Sequence, residues 1–136
     1  MPANSRTQDP HAPLVNKPNG SGLMRIFKAA QCSLAGFASA WRHESAFRQE
    51  LLMAVCLTPV AFVLASSREQ LLLLIGCLVF ILFAEMLNSA IEALADAITL
   101  EHHPLIGRAK DMGSACVFIA LMFFALVWGD TLLRWL

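Results

Sequence analysis

Long uncharged runs separated by short polar breaks occupy most of this chain, and a different pattern comes before them. Over residues 23–42, Leu23, Phe27, Ala30, Leu34, Phe37 and Trp41 recur at steps of four, three, four, three and four, one apolar stripe of a helix. Arg25, Lys28, Gln31 and Arg42 face away from it. The stripe is too narrow to cross a bilayer and suits a helix lying in the interface, with Trp41 at headgroup depth. Taken alone, the same pattern also fits a helix of a soluble core. A charged segment follows from His43 to Glu50, in which Glu44 and Arg48 stand one turn apart and could pair. Uncharged runs then predict membrane spans at about residues 50–67, 70–99 and 111–134. Pro59 is expected to kink the first. Ser66-Ser67-Arg68-Glu69 reads as a tight polar turn, and Glu101 to Gly107 as a loop broken by Pro104 and Gly107. Gly113, Ser114 and Ala115, early in the third span, would allow close helix contact.

The second predicted span is not apolar throughout. Glu85, Asn88, Glu92 and Asp96 follow one another at steps of three, four and four, which returns each side chain to nearly the same face of a helix. Leu87, Ile91, Leu94 and Ile98 take the opposite face. An ionised acid at a bilayer centre costs roughly 2.5–3.5 kcal/mol on insertion scales. Three acids on one stripe therefore call for cations, a partner helix or a watery cleft.

Composition agrees with the pattern. The 136 residues are 57% hydrophobic and 15% charged, more apolar surface than so small a soluble domain could hide. Ten basic and ten acidic residues cancel, so no overall charge speaks for nucleic acid. Nine phenylalanines and no tyrosine suit a lipid-facing chain. Cys32, Cys56, Cys77 and Cys116 form no close pair and lack metal-ligand spacing; the last three read as small hydrophobes. Residues 1–21 are polar, have no apolar core of a signal peptide and read as a disordered tail ahead of a membrane domain over 22–136. The expected fold class is an all-α membrane protein with three transmembrane helices plus an N-terminal amphipathic surface helix. Lys and Arg gather before the first span and between the second and third, which puts the N-terminus and that second loop in the cytoplasm and the C-terminus outside.

With that topology the polar residues converge on the cytoplasmic surface. Glu44 precedes the first span, the acid stripe lies in the cytoplasmic half of the second, and Arg108, Lys110 and Asp111 open the third. Paired carboxylates there could hold Mg²⁺, which accepts one or two carboxylates and leaves room for substrate phosphates. Lys110 could neutralise phosphate oxygens as a point charge. Glu85 is the deepest acid, and desolvation there makes a better base. Metal, cation and base beside lipid suggest phosphoryl transfer to a lipid hydroxyl. The plainer alternative is that Glu92 and Asp96 simply pair with Arg108 and Lys110. His102 and His103 read as solvated loop residues rather than metal ligands, and no glycine-rich phosphate loop of the usual kinds occurs.

Four blocks, in order, carry a resemblance. Glu85-Met86-Leu87-Asn88-Ser89-Ala90-Ile91-Glu92-Ala93 with Asp96 beyond, and Gly107-Arg108-Ala109-Lys110-Asp111-Met112-Gly113-Ser114-Ala115, resemble the two signature blocks of the prokaryotic membrane diacylglycerol kinase family. Ala46-Phe47-Arg48-Gln49-Glu50 and Arg25-Ile26-Phe27-Lys28-Ala29-Ala30 resemble it too, so that the likeness runs from about Leu23 to Leu136. The resemblance implies a homotrimer in a bacterial inner membrane that uses MgATP to phosphorylate diacylglycerol to phosphatidic acid. It implies Glu85 as catalytic base, and Glu44 and Glu92 as ligands of the metal that carries ATP. Asn88, Lys110 and Asp111 would contact or position the nucleotide, with Glu101, His102 and His103 bordering the adenine. Arg25 would lie near both phosphates and lipid; Ala29, Ala30, Ala46, Gln49 and Ser114 match lipid-side positions. Cys32 and Leu34 stand where the best-known members carry aromatics, and Pro104 is unusual in its loop. Relatives that swap the lipid make an undecaprenol kinase the close alternative. A small proton- or cation-conducting oligomer, its path lined by the acid stripe, is an alternative of another class, against which Arg108-Ala109-Lys110-Asp111 speaks.

Overall fold

The computed structural model describes residues 22–136; the tail expected over 1–21 lies outside the described residues. Among these residues four helices account for all the regular structure: α1 (Leu23–His43), α2 (Ser45–Leu64), α3 (Arg68–Ile98) and α4 (Pro104–Trp135). The chain divides within α1 into one compact unit that ends at Ala35 and a second from Gly36 to Leu136. In the first unit α1 is entered from Gly22, whose φ of 63° is left-handed and easy only for glycine. Leu23, Ile26, Phe27 and Leu34 are exposed on this stretch.

In the second unit α3 packs mainly along α4 and, less extensively, against α2. All three are long and apolar enough to cross a membrane. Leu74, Cys77, Leu78, Ile81 and Ala84 form the buried stripe of α3. They meet Ala54, Ala61 and Leu64 of α2 and Ala120 and Trp128 of α4. The indole Nε1 of Trp128 donates to the Leu74 carbonyl at 3.3 Å, which gives a polar group inside an apolar seam its partner. Leu72, Val79, Phe83, Leu87, Leu94 and Ile98 of α3 remain exposed, as side chains meeting lipid would be.

Several boundaries differ from those predicted. The helix containing the first span begins at Ser45, not near residue 50, because a single extended residue, Glu44 (φ −106°, ψ 113°), is the whole break after α1. Nothing from Ser45 to Glu50 breaks a helix, and buried Phe47 anchors the first turn. The expected Glu44–Arg48 pair does not form: Arg48 Nη1 donates instead to the Trp41 carbonyl at 2.9 Å, satisfying an orphan acceptor at the end of α1. α2 continues through Pro59. Arg68 and Glu69, expected in a turn, already belong to α3, whose cap Ser67 accepts from the Gln70 amide at 3.2 Å. Pro104 opens α4 rather than breaking a loop, since its fixed φ and missing N–H suit a first helical position. Gly107 is therefore helical, its amide bonded to the His103 carbonyl at 2.9 Å.

Candidate active site

The buried stripe of α3 does not stop at the apolar core. One turn beyond Ile81 the same face carries Glu85, 4% exposed, and then Asn88 and Glu92, both half-buried. The stepping inferred from the sequence is thus realised, and it aims these side chains at the interhelical side rather than at lipid. Glu44 arrives at the same place from the break before α2. Ala46 on the first turn of α2, and Ser114, Val117, Phe118 and Leu121 on α4, complete a cleft of about 450 Å³. One wall holds three carboxylates and an amide; the other is largely apolar.

The acids crowd one another. The charges of Glu44 and Glu92 act on Glu85, and that of Glu85 acts on Glu50. Among the described residues the ion pairs are Lys110–Asp96 and Arg134–Asp130, so no basic side chain is paired with any of these four acids. Asn88 Nδ2 donates to Glu92 Oε1 at 3.1 Å. Asn88 Oδ1, Ser89 Oγ and Glu50 Oε2 are buried without a hydrogen-bond partner.

Whether such a cleft suits a metal depends on its donors. Among the described residues no three His, Cys, Asp or Glu side chains converge closely enough to cage an ion by themselves. Two carboxylates beside open space nevertheless fit Mg²⁺, which keeps waters and takes substrate phosphate oxygens. The unpaired Glu44 and Glu92 are hard oxygen donors of that kind.

A second, smaller cavity of about 190 Å³ lies at the α3–α4 turn and is lined by Asp96, Glu101, His102, His103 and Lys110, among others. Here Lys110 Nζ meets Asp96 Oδ1 at 2.6 Å, which is one half of the plainer pairing considered from the sequence. The other half is not seen, since Glu92 bonds to Asn88 and to no cation. Gln49 and Asp111 are exposed and line neither cavity. Arg25, Ala29 and Ala30 are exposed on the first turns of α1, in the unit that ends at Ala35.

Glu50 was not singled out as a site residue from the sequence. Its signal was present: Phe47, Glu50, Ala54, Leu57, Ala61 and Leu64 recur at steps of three and four, so Glu50 falls on the packed face of α2.

Three helices able to span a membrane, joined around a cleft of unpaired carboxylates, define a small polytopic α-helical protein with an acidic site. Comparison with known proteins narrows the class. The family model for prokaryotic diacylglycerol kinase matches residues 31–132. A diacylglycerol kinase from Pseudomonas aeruginosa is 50% identical over 113 residues, covering 83% of this chain and 92% of that one. Those of Haemophilus influenzae and Escherichia coli K12 are 42% and 44% identical, over 82% and 81% of this chain and 95% and 90% of theirs. The chain belongs to the prokaryotic diacylglycerol kinase family.

Proposed function

We propose that this protein transfers the γ-phosphoryl group of ATP to the free hydroxyl of diacylglycerol, giving phosphatidic acid and ADP at the cytoplasmic face of a bacterial inner membrane. The observation that carries the reading is the cleft itself: Glu85 buried at the end of an apolar seam, Glu44 and Glu92 beside it, and, among the described residues, no basic side chain paired with any of them. Diacylglycerol is named from the relatives, which cover most of the chain.

Glu85 accepts the proton of the lipid hydroxyl as its oxygen attacks the γ-phosphorus, and the bond to the ADP oxygen breaks. The apolar wall of Val117, Phe118 and Leu121 faces the acyl portion of the substrate, while the carboxylate wall faces its polar end. Glu44 and Glu92 hold the Mg²⁺ that accompanies ATP, and Asn88 fixes the direction of the Glu92 carboxylate. When bound there, Mg²⁺ offsets the negative charge of the phosphates and of the acids around them. Lys110 exchanges Asp96 for phosphate oxygens when nucleotide enters, with Asp111 beside it and Glu101, His102 and His103 toward the base.

In this reading α1 lies in the cytoplasmic interface, the α3–α4 turn is cytoplasmic and the C-terminus is periplasmic, the orientation that the Lys and Arg distribution favours. Arg25, Ala29, Ala30, Ala46, Gln49 and Ser114 contact substrate, and three copies assemble as a closed ring. The test is labelled ATP with purified protein and a panel of diacylglycerol, ceramide and undecaprenol. Label in phosphatidic acid supports the reading; label in undecaprenyl phosphate alone replaces the lipid; no labelled lipid overturns it.

A further inference from the structure

Gly113 occupies a place on α4 that a larger residue could not share with Asn88. It is buried, and a Cβ built on it would lie 2.6 Å from Asn88 Oδ1, 3.4 Å from Ile91 Cδ1 and 3.5 Å from Asn88 Cγ. The first distance is far inside contact. The backbone of α4 thus forms a socket for the oxygen half of the Asn88 amide. That oxygen is buried and accepts no hydrogen bond from any of the described residues. The nitrogen half points the other way, to Glu92 Oε1 at 3.1 Å. With Oδ1 seated against Gly113, the amide plane is held so that Nδ2 meets the carboxylate.

We infer that Gly113 is a positioning residue for the metal–nucleotide site, acting through the orientation it imposes on Asn88 and hence on Glu92. The inference rests on the reading of Glu92 as a carboxylate that carries Mg²⁺ with ATP. A glycine kept only for close helix packing would behave differently. The atom a methyl group meets is the far end of a side chain, so Gly113→Ala moves Asn88 rather than the helices. Alanine is also the better helix former, so the exchange loses no helix stability. The damage falls on the Asn88–Glu92 hydrogen bond, which is a charge-assisted one.

The experiment compares five full-length proteins: wild type, Gly113→Ala, Asn88→Ala, the double variant and Gly76→Ala, where a Cβ meets nothing within 4 Å. Binding of Mn²⁺ with a non-hydrolysable ATP analogue is followed by electron paramagnetic resonance, and the unfolding midpoint is measured alongside. Gly113→Ala is expected to weaken binding about tenfold with an unchanged midpoint, as loss of one hydrogen bond to a charged group would. It adds nothing in the Asn88→Ala background, and Gly76→Ala matches wild type. Wild-type binding by Gly113→Ala, an equal loss in both backgrounds, or a Gly113→Ala protein that does not fold each overturns the inference in favour of packing alone. Wild type that binds no metal–nucleotide overturns the underlying site reading as well, and that failure is visible in the wild-type arm by itself.

Discussion

Lys110 and Asp96 face each other across the α3–α4 turn with Nζ and Oδ1 2.6 Å apart, fourteen residues apart in sequence. Both side chains keep substantial exposure, 38% and 53%, so the pair is wetted and screened. It keeps the one lysine lining the smaller cavity beside an acid without locking it there.

Lys110→Met is therefore expected to leave the unfolding midpoint in place while raising the KM for ATP more than tenfold, because a point charge for phosphate is lost. Initial rates against ATP, with diacylglycerol in excess, check this. An unchanged KM would return Lys110 to a purely structural partner of Asp96.

Glu85→Gln removes a buried acid that has no cationic partner among the described residues, so folding and nucleotide binding are expected to survive. Turnover should fall by about 10²–10⁴-fold, the usual contribution of a positioned base. A variant that keeps a tenth of the wild-type rate would rule out an essential base at this position.

Glu44, in the break before α2, and Glu92, on α3, come from different parts of the chain yet line one cleft. Replacing either by Gln should raise the Mg²⁺ concentration for half-maximal activity roughly tenfold or more, since metal sites are this sensitive even to outer partners. Lipid binding measured without nucleotide should not change. Normal Mg²⁺ titrations in both variants would sink the metal assignment.

Ala120 has no exposed surface and belongs to one buried cluster with Ile81 and Ala84 of α3. Ala120→Leu is expected to destabilise the α3–α4 seam by about 1–3 kcal/mol through overpacking. Reversible unfolding in mixed micelles measures it, and a stability equal to wild type would mean that the seam has room not seen here.

The acid stripe was legible because its logic is local: Glu85, Asn88 and Glu92 belong to one helix, and helical pitch alone aligns them. Glu44 was not legible in that way. Its place in the cleft beside Glu85 depends on a one-residue break and on how α2 packs on α3, which no periodicity encodes; topology put it at the same membrane surface, and only the family resemblance gave it a metal-binding role. Gly113, Ser114 and Ala115 looked equivalent as small residues, yet Gly113 is buried against Asn88 while Ser114 and Ala115 are exposed. Pro104 and Gly107 misled for a related reason. Both disfavour a helix interior in isolation, but the first turn of α4 tolerates one and absorbs the other.

The length of α3 bears on where the chemistry meets the bilayer. Its 31 residues extend about 46 Å at the helical rise, against roughly 30 Å of hydrocarbon. Counted from Arg68, an upright helix leaves the hydrocarbon after about twenty residues, close to Leu87. Glu85 then sits at the last apolar layer, and Asn88, Glu92 and Asp96 stand one, two and three turns further into the headgroups. The helix acts as a ruler laid through a gradient of dielectric. On the proposed reading, the base would stand at the oil boundary and the metal-binding carboxylate in a wetter layer, because one helix is longer than the hydrocarbon is thick.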